Sequence, residues 1–259
     1  MASADGIDAA SRAPTPVAPD LWARWASPVQ QPKEGLTLQR ITRAAIGLAD
    51  TDGLAAVSMA RVAKRCGFTT MALYRHISSK DELLLLMFNE VIGPAPQIPD
   101  GLGWAEGLRV WTRQIVERLS ASPWAVEINP TGLNTPGQLA VLDTGLQILD
   151  STGMDYGDRA NVLLVISGLA FSHVRLTADF GRTEAAGTFG RLLSAPDIAH
   201  RFPSVHALVA SGAFEDEADP PTAPEDVLDD LELGLELIID GLAVRLARQA
   251  AAREAAATV

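Results

Sequence analysis

Cysteine, cationic residues and long apolar runs are all scarce in this chain of 259 residues. The single cysteine, Cys66, excludes an intramolecular disulfide framework and is typical of a reducing compartment. The longest apolar run lies within 162–171, well short of the about 18–20 residues that span a bilayer. The first ten residues carry Asp5 and Asp8 and no apolar run, so they do not have the pattern of a signal peptide. We therefore expect a cytoplasmic protein without a membrane segment.

The composition is that of a globular protein, with 47% apolar and 20% charged residues. Residues 1–35 are rich in alanine, proline and serine, which predicts a disordered N-terminal extension. Beyond them apolar residues recur at steps of three and four, and strand-like alternation never continues for more than a few residues. The glycines and prolines of 93–103 interrupt this pattern. The sequence predicts an all-α fold with a smaller domain over 36–92 and a larger helical domain over 104–250.

Positive charge is concentrated in the smaller domain. The chain carries 21 basic and 32 acidic side chains, for a net charge of −11. Residues 36–80, however, hold seven basic residues and only two acidic ones. Because charges in physiological salt are screened over about 8 Å, the local balance governs contact with a partner. A basic segment in an acidic protein is compatible with a polyanionic partner, although a solvated surface gives the same count.

Capping residues and glycines predict four helices in the smaller domain. The first runs from Thr37 to Gly53, and Ser58 caps a second helix that continues through Arg65. A third helix spans about 69–76, and the capping box 79–82 opens a fourth. The expected apolar contacts are Val62, Ala63, Phe68 and Leu73 between the second and third helices, and Leu84, Met87, Phe88 and Val91 along the fourth.

The second and third helices, joined by a tight turn at Gly67, have the spacing of a helix-turn-helix unit. Such a unit places its second helix in the major groove of DNA, the only groove that distinguishes all four base pairs. Lys80, at the start of the fourth helix, is placed to hold a phosphate. A plain helical hairpin is the commoner explanation of the spacing alone. The groove-facing candidates are Thr69, Thr70, Met71, Ala72, Tyr74, Arg75 and His76.

The residues over 36–53, 58–67 and 72–84 resemble the N-terminal domain of the tetracycline-repressor (TetR) family, above all in Leu73-Tyr74-Arg75-His76 and Lys80-Asp81-Glu82-Leu83-Leu84. Weaker resemblance to the larger domain of the tetracycline-repressor branch is found at 122–124, 168–171 and 233–241. The resemblance covers about residues 36–250. It implies a homodimeric, sequence-specific transcriptional regulator, usually a repressor that a small molecule releases from double-stranded operator DNA.

The resemblance also implies roles for single residues. Tyr74 and Lys80 would contact phosphates, and Ser58 would touch the DNA backbone from the preceding helix. Family members often have arginine where this chain has Ala60, so one expected contact is either missing or supplied by Arg61. Thr70, Met71, Ala72 and Arg75 would face the groove.

The larger domain contains candidate residues for a largely apolar effector. Three tryptophans cluster in its first half, which core packing explains equally well. The tetracycline repressor proper binds its drug with magnesium through a histidine on the segment that corresponds to 124–129, and this chain has none there, so that effector is not expected. A histidine on the long helix over 158–179 fits a core or interface position as well as a pocket. The candidate pocket residues are Trp104, Trp111, Trp124, Glu127, Asn129 and His173.

The last helix and the helix over 158–179 have apolar faces wide enough for a two-fold, four-helix interface, although a buried core helix has the same pattern. His200 and His206 are six residues apart, which suits no common zinc spacing, and no metal site or cofactor is predicted. Two alternatives remain: an all-α enzyme and a helical protein-binding adaptor. The sequence offers no recognisable catalytic set for the enzyme.

Overall fold

The computed structural model describes residues 35–128, 133, 135–181, 200–211 and 224–257, and the predicted N-terminal extension lies almost entirely outside them. Every regular element within these ranges is helical, which confirms the all-α prediction. Short 3₁₀ turns cover Leu54–Ala56, Pro123–Glu127 and Asp150–Thr152. The α-helices are α1 (Leu38–Asp52), α2 (Met59–Cys66), α3 (Thr70–Tyr74), α4 (Lys80–Ile92), α5 (Trp104–Ala121), α6 (Pro136–Ile148), α7 (Tyr156–Gly181), α8 (Pro203–Ala210) and α9 (Pro224–Ala257).

The described residues form two compact units. The first contains the residues up to Pro94 together with Ile128–Ala140, and the second contains Ala95–Glu127 and the residues from Val141 onward. Helix α6 therefore contributes its first turn to one unit and the rest of its length to the other.

Local capping sets the helix ends of the first unit as predicted. The hydroxyl of Thr37 accepts a hydrogen bond from the backbone N–H of Arg40, and the hydroxyl of Ser58 accepts one from that of Arg61. The α2 helix ends at Gly67, whose φ of 78° lies in the left-handed region that favours glycine. The third helix ends at Tyr74, two residues earlier than predicted.

Helix α4 buries a different set of residues from the predicted one. Leu84 and Val91 are only half-buried, whereas Met87 and Phe88 are in the core as expected. The buried stripe is rotated because α4 packs against α1 along a line that local periodicity did not resolve. The buried apolar residues of α4 are Leu83, Leu86, Met87, Phe88 and Ile92.

The core of the second unit lies between α5, α7 and α9. Apolar residues of α5 recur at steps of three and four, which predicts that they face inward, and they are buried: Leu108, Trp111, Ile115 and Leu119. The sequence spacing predicts inward faces of Leu163, Ile166, Ala170 and His173 on α7 and of Leu231, Leu235, Ile238 and Leu242 on α9. In the structure Val174 is buried rather than His173, and Ile239 rather than Ile238. Both corrections reflect the drift of a 3.6-residue turn over a long helix.

By length and composition, residues Tyr156–Ala178 of α7 are apolar enough to cross a membrane, although polar residues interrupt the apolar ones along this segment. Core helices of soluble proteins have the same composition, and α7 buries Leu163, Ile166 and Ala170 within its own unit.

Candidate nucleic-acid interface

Helix α3 buries one side chain and exposes the others. Leu73 is fully buried and anchors α3 against α2. Met71 is 70% exposed and Tyr74 is 51% exposed, although both are large side chains that a core would accept. Thr70 and Arg75 are exposed as well, and Ala72 and His76 are half-buried. The predicted groove-facing residues therefore form one surface of exposed and half-buried side chains on α3 and the residues that flank it.

Two hydroxyls at this surface also serve as helix caps. Thr69 accepts a hydrogen bond from the backbone N–H of Ala72 at 3.3 Å, and Ser58 accepts one from Arg61 at the same distance. Capping uses an oxygen lone pair of each hydroxyl and leaves its O–H free to donate. Thr69 is exposed and Ser58 is half-buried, so both keep the ability to donate to a phosphate oxygen.

Arg61 is engaged within the protein. Its guanidinium forms an ion pair with Asp52 and donates a hydrogen bond of 3.4 Å to the carbonyl of Ala56. These contacts tie α2 to the end of α1. The ion pair is exposed, and exposed pairs contribute only about 0–1 kcal/mol, so a phosphate can compete with Asp52 for Arg61.

The start of α4 is fixed by a variant of the predicted capping box. The hydroxyl of Ser79 accepts a hydrogen bond of 3.0 Å from the backbone N–H of Glu82. The Glu82 carboxylate reaches one residue further back than in the usual box and accepts from the N–H of Ser78 at 2.7 Å. Lys80, in the first turn, is exposed.

Lys64 and Arg65 lie at the end of α2 and are both exposed. The guanidinium of Arg65 lies over the backbone of Gly47 on α1, so close that a Cβ added to this glycine would be 3.0 Å from Nη2. At the end of α2 each of these two basic residues can either contact a phosphate or remain a solvated cation that favours the helix C-terminus. The structure does not distinguish the two roles.

The structure reveals one arginine of this unit that sequence reasoning did not single out. Arg40 of α1 donates a hydrogen bond of 2.9 Å from Nη2 to the carbonyl of Cys66, at the end of α2. Its guanidinium also lies 5.4 Å from the ring centroid of Phe68. Phe68, predicted to be buried, is 39% exposed beneath it. No sequence signal links these residues, because they are 26 and 28 positions apart.

Cys66 is a buried residue of the same turn. Burial raises the pKa of its thiol, and the positive charge of Arg40 only partly offsets that effect. A thiol with a raised pKa is a poor nucleophile, which fits a packing role.

The candidate effector residues are placed in different environments of the second unit. Trp111 and Trp124 are buried, and the indole N–H of Trp111 donates to the carbonyl of Val141 at 2.9 Å. Trp104 and His173 are half-buried, and Glu127 is exposed. Asn129 lies outside the described residues. Helices α5 and α7 both contact Pro123–Glu127, whereas Trp104 begins α5 and lies about 25 Å along that helix from Ala121, its last residue.

Ser120 of α5 was missed by sequence reasoning. Its hydroxyl oxygen is buried and has no hydrogen-bond partner among the described residues. An unpaired buried hydroxyl is unfavourable by about 1–3 kcal/mol, so a ligand that bonds it recovers that energy. Serine on an apolar helix face is too common for its sequence position to have indicated this.

A separate open groove of about 410 Å³ runs along α9, lined by Gly241, Val244, Arg245, Arg248, Gln249 and Ala252. None of the predicted pocket residues lines it. In the ranges that the structure describes, no three His, Cys, Asp or Glu side chains are close enough together to hold a metal ion.

Helices α7 and α9 each expose an apolar stripe besides the one they bury. On α7, Val165 is 57% exposed, and Leu176, about three turns later on the same face, is 53% exposed. On α9, Leu233 is 70% exposed and Leu237 is 66% exposed. Because the two helices pack side by side within the unit, these stripes belong to neighbouring elements. Exposed apolar patches of this kind mark interaction surfaces.

Comparison with known proteins agrees with this architecture. A sequence model of bacterial regulatory proteins of the tetR family matches residues 41–87, and one of the tetracyclin repressor-like C-terminal domain matches residues 95–246. The HTH-type transcriptional repressor DrrR1 of Streptomyces coeruleorubidus is 30% identical over 237 residues, which cover 88% of this chain and 85% of the relative. The class A tetracycline repressor protein from transposon 1721 of Escherichia coli is 28% identical over 210 residues, 79% of this chain and 89% of that protein.

Solved structures show the same likeness. The TetR family protein ActR of Streptomyces coelicolor, crystallised in complex with actinorhodin, superposes with a TM-score of 0.64 and 28% identity. The superposition covers 80% of this chain and 95% of ActR.

Proposed function

The chain belongs to the TetR family of bacterial regulatory proteins, and from this membership we propose that it represses transcription as a cytoplasmic homodimer that a small-molecule effector releases from operator DNA. In this proposal residues 36–92 bind DNA, and residues 104–250 bind the effector and form the dimer.

The observation that carries the proposal is the exposure of α3. A five-residue helix that buries only Leu73 and leaves Met71 and Tyr74 in solvent does not serve the core of its own unit. The same exposed face carries Arg75, whose guanidinium can bind guanine O6 and N7, and Thr70, which can bind a base or a phosphate.

The remaining predicted contacts are assigned to the DNA backbone. Tyr74 and Lys80 bind phosphates, and Ser58, Thr69 and His76 support them from the rim of the interface. Arg61 replaces the arginine that family members often carry at position 60, once a phosphate has displaced Asp52. Met71 and Ala72 contact thymine methyl groups in the groove.

A dimer supplies the second DNA-binding domain. We assign the exposed stripes of α7 and α9 to a two-fold interface, since a second copy would bury Val165, Leu176, Leu233 and Leu237 together. Two copies of α3 about 34–36 Å apart would then read two half-sites one helical turn apart.

The effector is proposed to be largely apolar and to bind among Trp104, Trp111, Trp124, Glu127 and His173, with Asn129 and the unpaired hydroxyl of Ser120 as further polar partners. ActR, to which this chain is similar, was crystallised in complex with actinorhodin, which supports a small-molecule effector. Residues 124–128 contain no histidine, which argues against a magnesium–tetracycline complex. The chain is assigned no catalytic step.

The test is selection of a duplex from a random DNA library by the full-length chain, followed by titration of the selected duplex. We expect a two-fold symmetric site bound by two chains, with preference over an unrelated duplex of equal length. Equal affinity for both duplexes would refute the proposal and would favour the protein-binding adaptor. Addition of candidate effectors to the complex then measures release, which by linkage must match the effect of DNA on effector affinity.

A further inference from the structure

The connection between α2 and α3 is held by a residue from outside the helix-turn-helix unit. Nη2 of Arg40 donates to the carbonyl of Cys66 at 2.9 Å, and Nη1 donates to the carbonyl of Gly35 at 3.3 Å. The thiol of Cys66 lies 3.9 Å from the carbonyl oxygen of Arg40 in return. A side chain of α1 thus contacts the backbone at the end of α2, and a side chain at the end of α2 contacts the backbone of α1.

The same guanidinium covers the first side chain after the turn. Its central carbon is 5.4 Å from the centroid of the Phe68 ring, a distance at which cation and ring attract each other. Phe68 directly precedes Thr69, the cap of α3. Arg40 therefore contacts both ends of the turn, one through a carbonyl and the other through an aromatic face.

The short length of α3 makes this connection important. A helix of five residues has too few internal hydrogen bonds to be stable alone, so its direction depends on its anchors. One anchor is the pair of buried side chains Leu73, within α3, and Ile77, shortly after it. The other is the turn, where the backbone N–H groups of Gly67 and Phe68 donate to the carbonyls of Lys64 and Ala63, and where the side chain of Arg40 adds its own contacts.

We propose that Arg40 is a positioning residue for DNA recognition: it fixes the turn at Cys66 and Phe68, and thereby the angle at which α3 enters the groove. It does so without contacting a base. Since operator preference depends on side-chain placement to within about an ångström, loosening the turn reduces discrimination between sequences more than it reduces binding to DNA in general.

The inference rests on the proposed DNA-binding role of α3, and it differs from the obvious role for an arginine in a basic segment. An arginine that binds a phosphate contributes equally to the affinity for every sequence. Its removal lowers the slope of log affinity against log salt concentration by about 0.9, which is the release of one counterion. An arginine that positions α3 instead raises the ratio of the affinity for the selected duplex to the affinity for an unrelated duplex.

The experiment compares the full-length chain with Arg40→Ala, Arg40→Lys and Arg43→Ala. Arg43 is an exposed arginine of the same helix, so its removal has the same effect on charge without touching the turn. The probes are the duplex selected by the unmodified chain and an unrelated duplex of equal length. Dissociation constants are measured at several salt concentrations, well below the melting temperature of each variant, with the active fraction determined by stoichiometric titration.

We expect Arg40→Ala to weaken binding to the selected duplex by about tenfold, the order expected for one lost charge-assisted hydrogen bond, with a much smaller change for the unrelated duplex. Arg40→Lys should behave like Arg40→Ala, because an ammonium group cannot both bind the carbonyl and cover the ring. Arg43→Ala should leave the ratio of the dissociation constants for the two duplexes unchanged.

Three results would overturn the inference: an equal loss on both duplexes with a smaller salt slope, full recovery by Arg40→Lys, or no change in any variant. Failure of the unmodified chain to prefer any duplex would instead refute the proposed function. If Arg40→Ala does not fold, Phe68→Leu tests the same connection, since it keeps an apolar side chain and removes the aromatic face. A lowered ratio is expected there too, and an unchanged ratio would contradict the proposal.

Discussion

Glu236 of α9 accepts two hydrogen bonds from Arg109 of α5, at 2.6 Å from Nε and 2.7 Å from Nη2. The pair joins two helices that are 127 positions apart in the sequence. The hydrogen bonds from Arg109 lower the pKa of the Glu236 carboxyl, and the Glu236 carboxylate raises the pKa of Arg109. The geometry is the two-point contact that arginine and carboxylate form most favourably.

This pair makes the stability of the chain depend on pH. Because the pKa of Glu236 is lowered in the folded state, its contribution is complete above the ordinary glutamate pKa of about 4.3 and is lost as the pH falls through the lower folded value. Glu236→Gln should therefore lower the melting temperature near neutral pH and have little effect in strong acid. Glu232→Gln, an exposed residue one turn earlier, is the control for charge alone. A difference in melting temperature between Glu236→Gln and the unmodified chain that stays constant as the pH is lowered would contradict this role of Glu236.

Arg75→Ala should relax specificity at one base pair. Arg75, exposed directly after α3, has the guanidinium best suited to two-point recognition of guanine, which contributes about 1–3 kcal/mol of discrimination. Binding to all single-base variants of the selected duplex measures this directly. Lys64→Ala removes an exposed charge from α2 and should not relax any single position. Uniform weakening by Arg75→Ala would show that Arg75 binds a phosphate instead.

Lys80→Ala should weaken binding to every duplex by a similar factor. Lys80 lies in the first turn of α4, where it can bind a phosphate without reading a base. The slope of log affinity against log salt concentration should fall by about 0.9, one released counterion. Lys80→Arg keeps the charge and should preserve the slope. A loss confined to the selected duplex would exclude the phosphate role.

Leu237→Glu should separate the dimer. The Leu237 side chain is 66% exposed in the single protomer, and burial of one leucine contributes about 1.5–3 kcal/mol in each of the two copies. We expect the dimer dissociation constant to rise by about two to four orders of magnitude, measured by sedimentation. Leu102→Glu, at an exposed leucine outside α7 and α9, should leave the dimer intact. An unchanged dimer in Leu237→Glu would place the interface elsewhere.

Gly137→Ala should destabilise the first unit. A Cβ at Gly137 would lie 2.9 Å from the carbonyl oxygen of Gly93 and 3.2 Å from Oδ1 of Asn89, which also accepts a hydrogen bond from the Gly137 N–H. Relieving such an overlap with backbone costs about 1–3 kcal/mol, seen as a lower melting temperature. Leu139→Ala, at an exposed position of α6, should have little effect. Equal stability of both variants would mean that α6 is not held as closely as the structure indicates.

The helix ends of the first unit could be predicted because they depend on neighbours in sequence. Thr37, Ser58 and Ser79 each bond a backbone N–H three residues later, so the chemistry of each cap is complete within one turn. The exposed face of α3 followed from the same short-range pattern. Helix spacing and capping are therefore encoded locally, and the sequence alone is enough to recover them.

Contacts between distant segments were not recovered. Phe68 was expected in the core, yet it lies partly exposed beneath Arg40, and Val174 and Ile239 replaced the residues expected to face inward on α7 and α9. The Arg109–Glu236 pair had no sequence signal at all. Such contacts depend on how whole helices rotate against each other, which no short window contains.

The amino-acid sequence by itself determined the helical class, the caps and the exposed, basic character of the helix-turn-helix segment, because each of these is decided within a few residues along the chain. Only the tertiary structure decided which arginines are engaged with a neighbouring helix, as Arg40 is with the carbonyl of Cys66, and which remain available for DNA. The physical reason is that an arginine side chain reaches across to another helix, and whether it meets a carbonyl, a carboxylate or an aromatic ring there is set by packing.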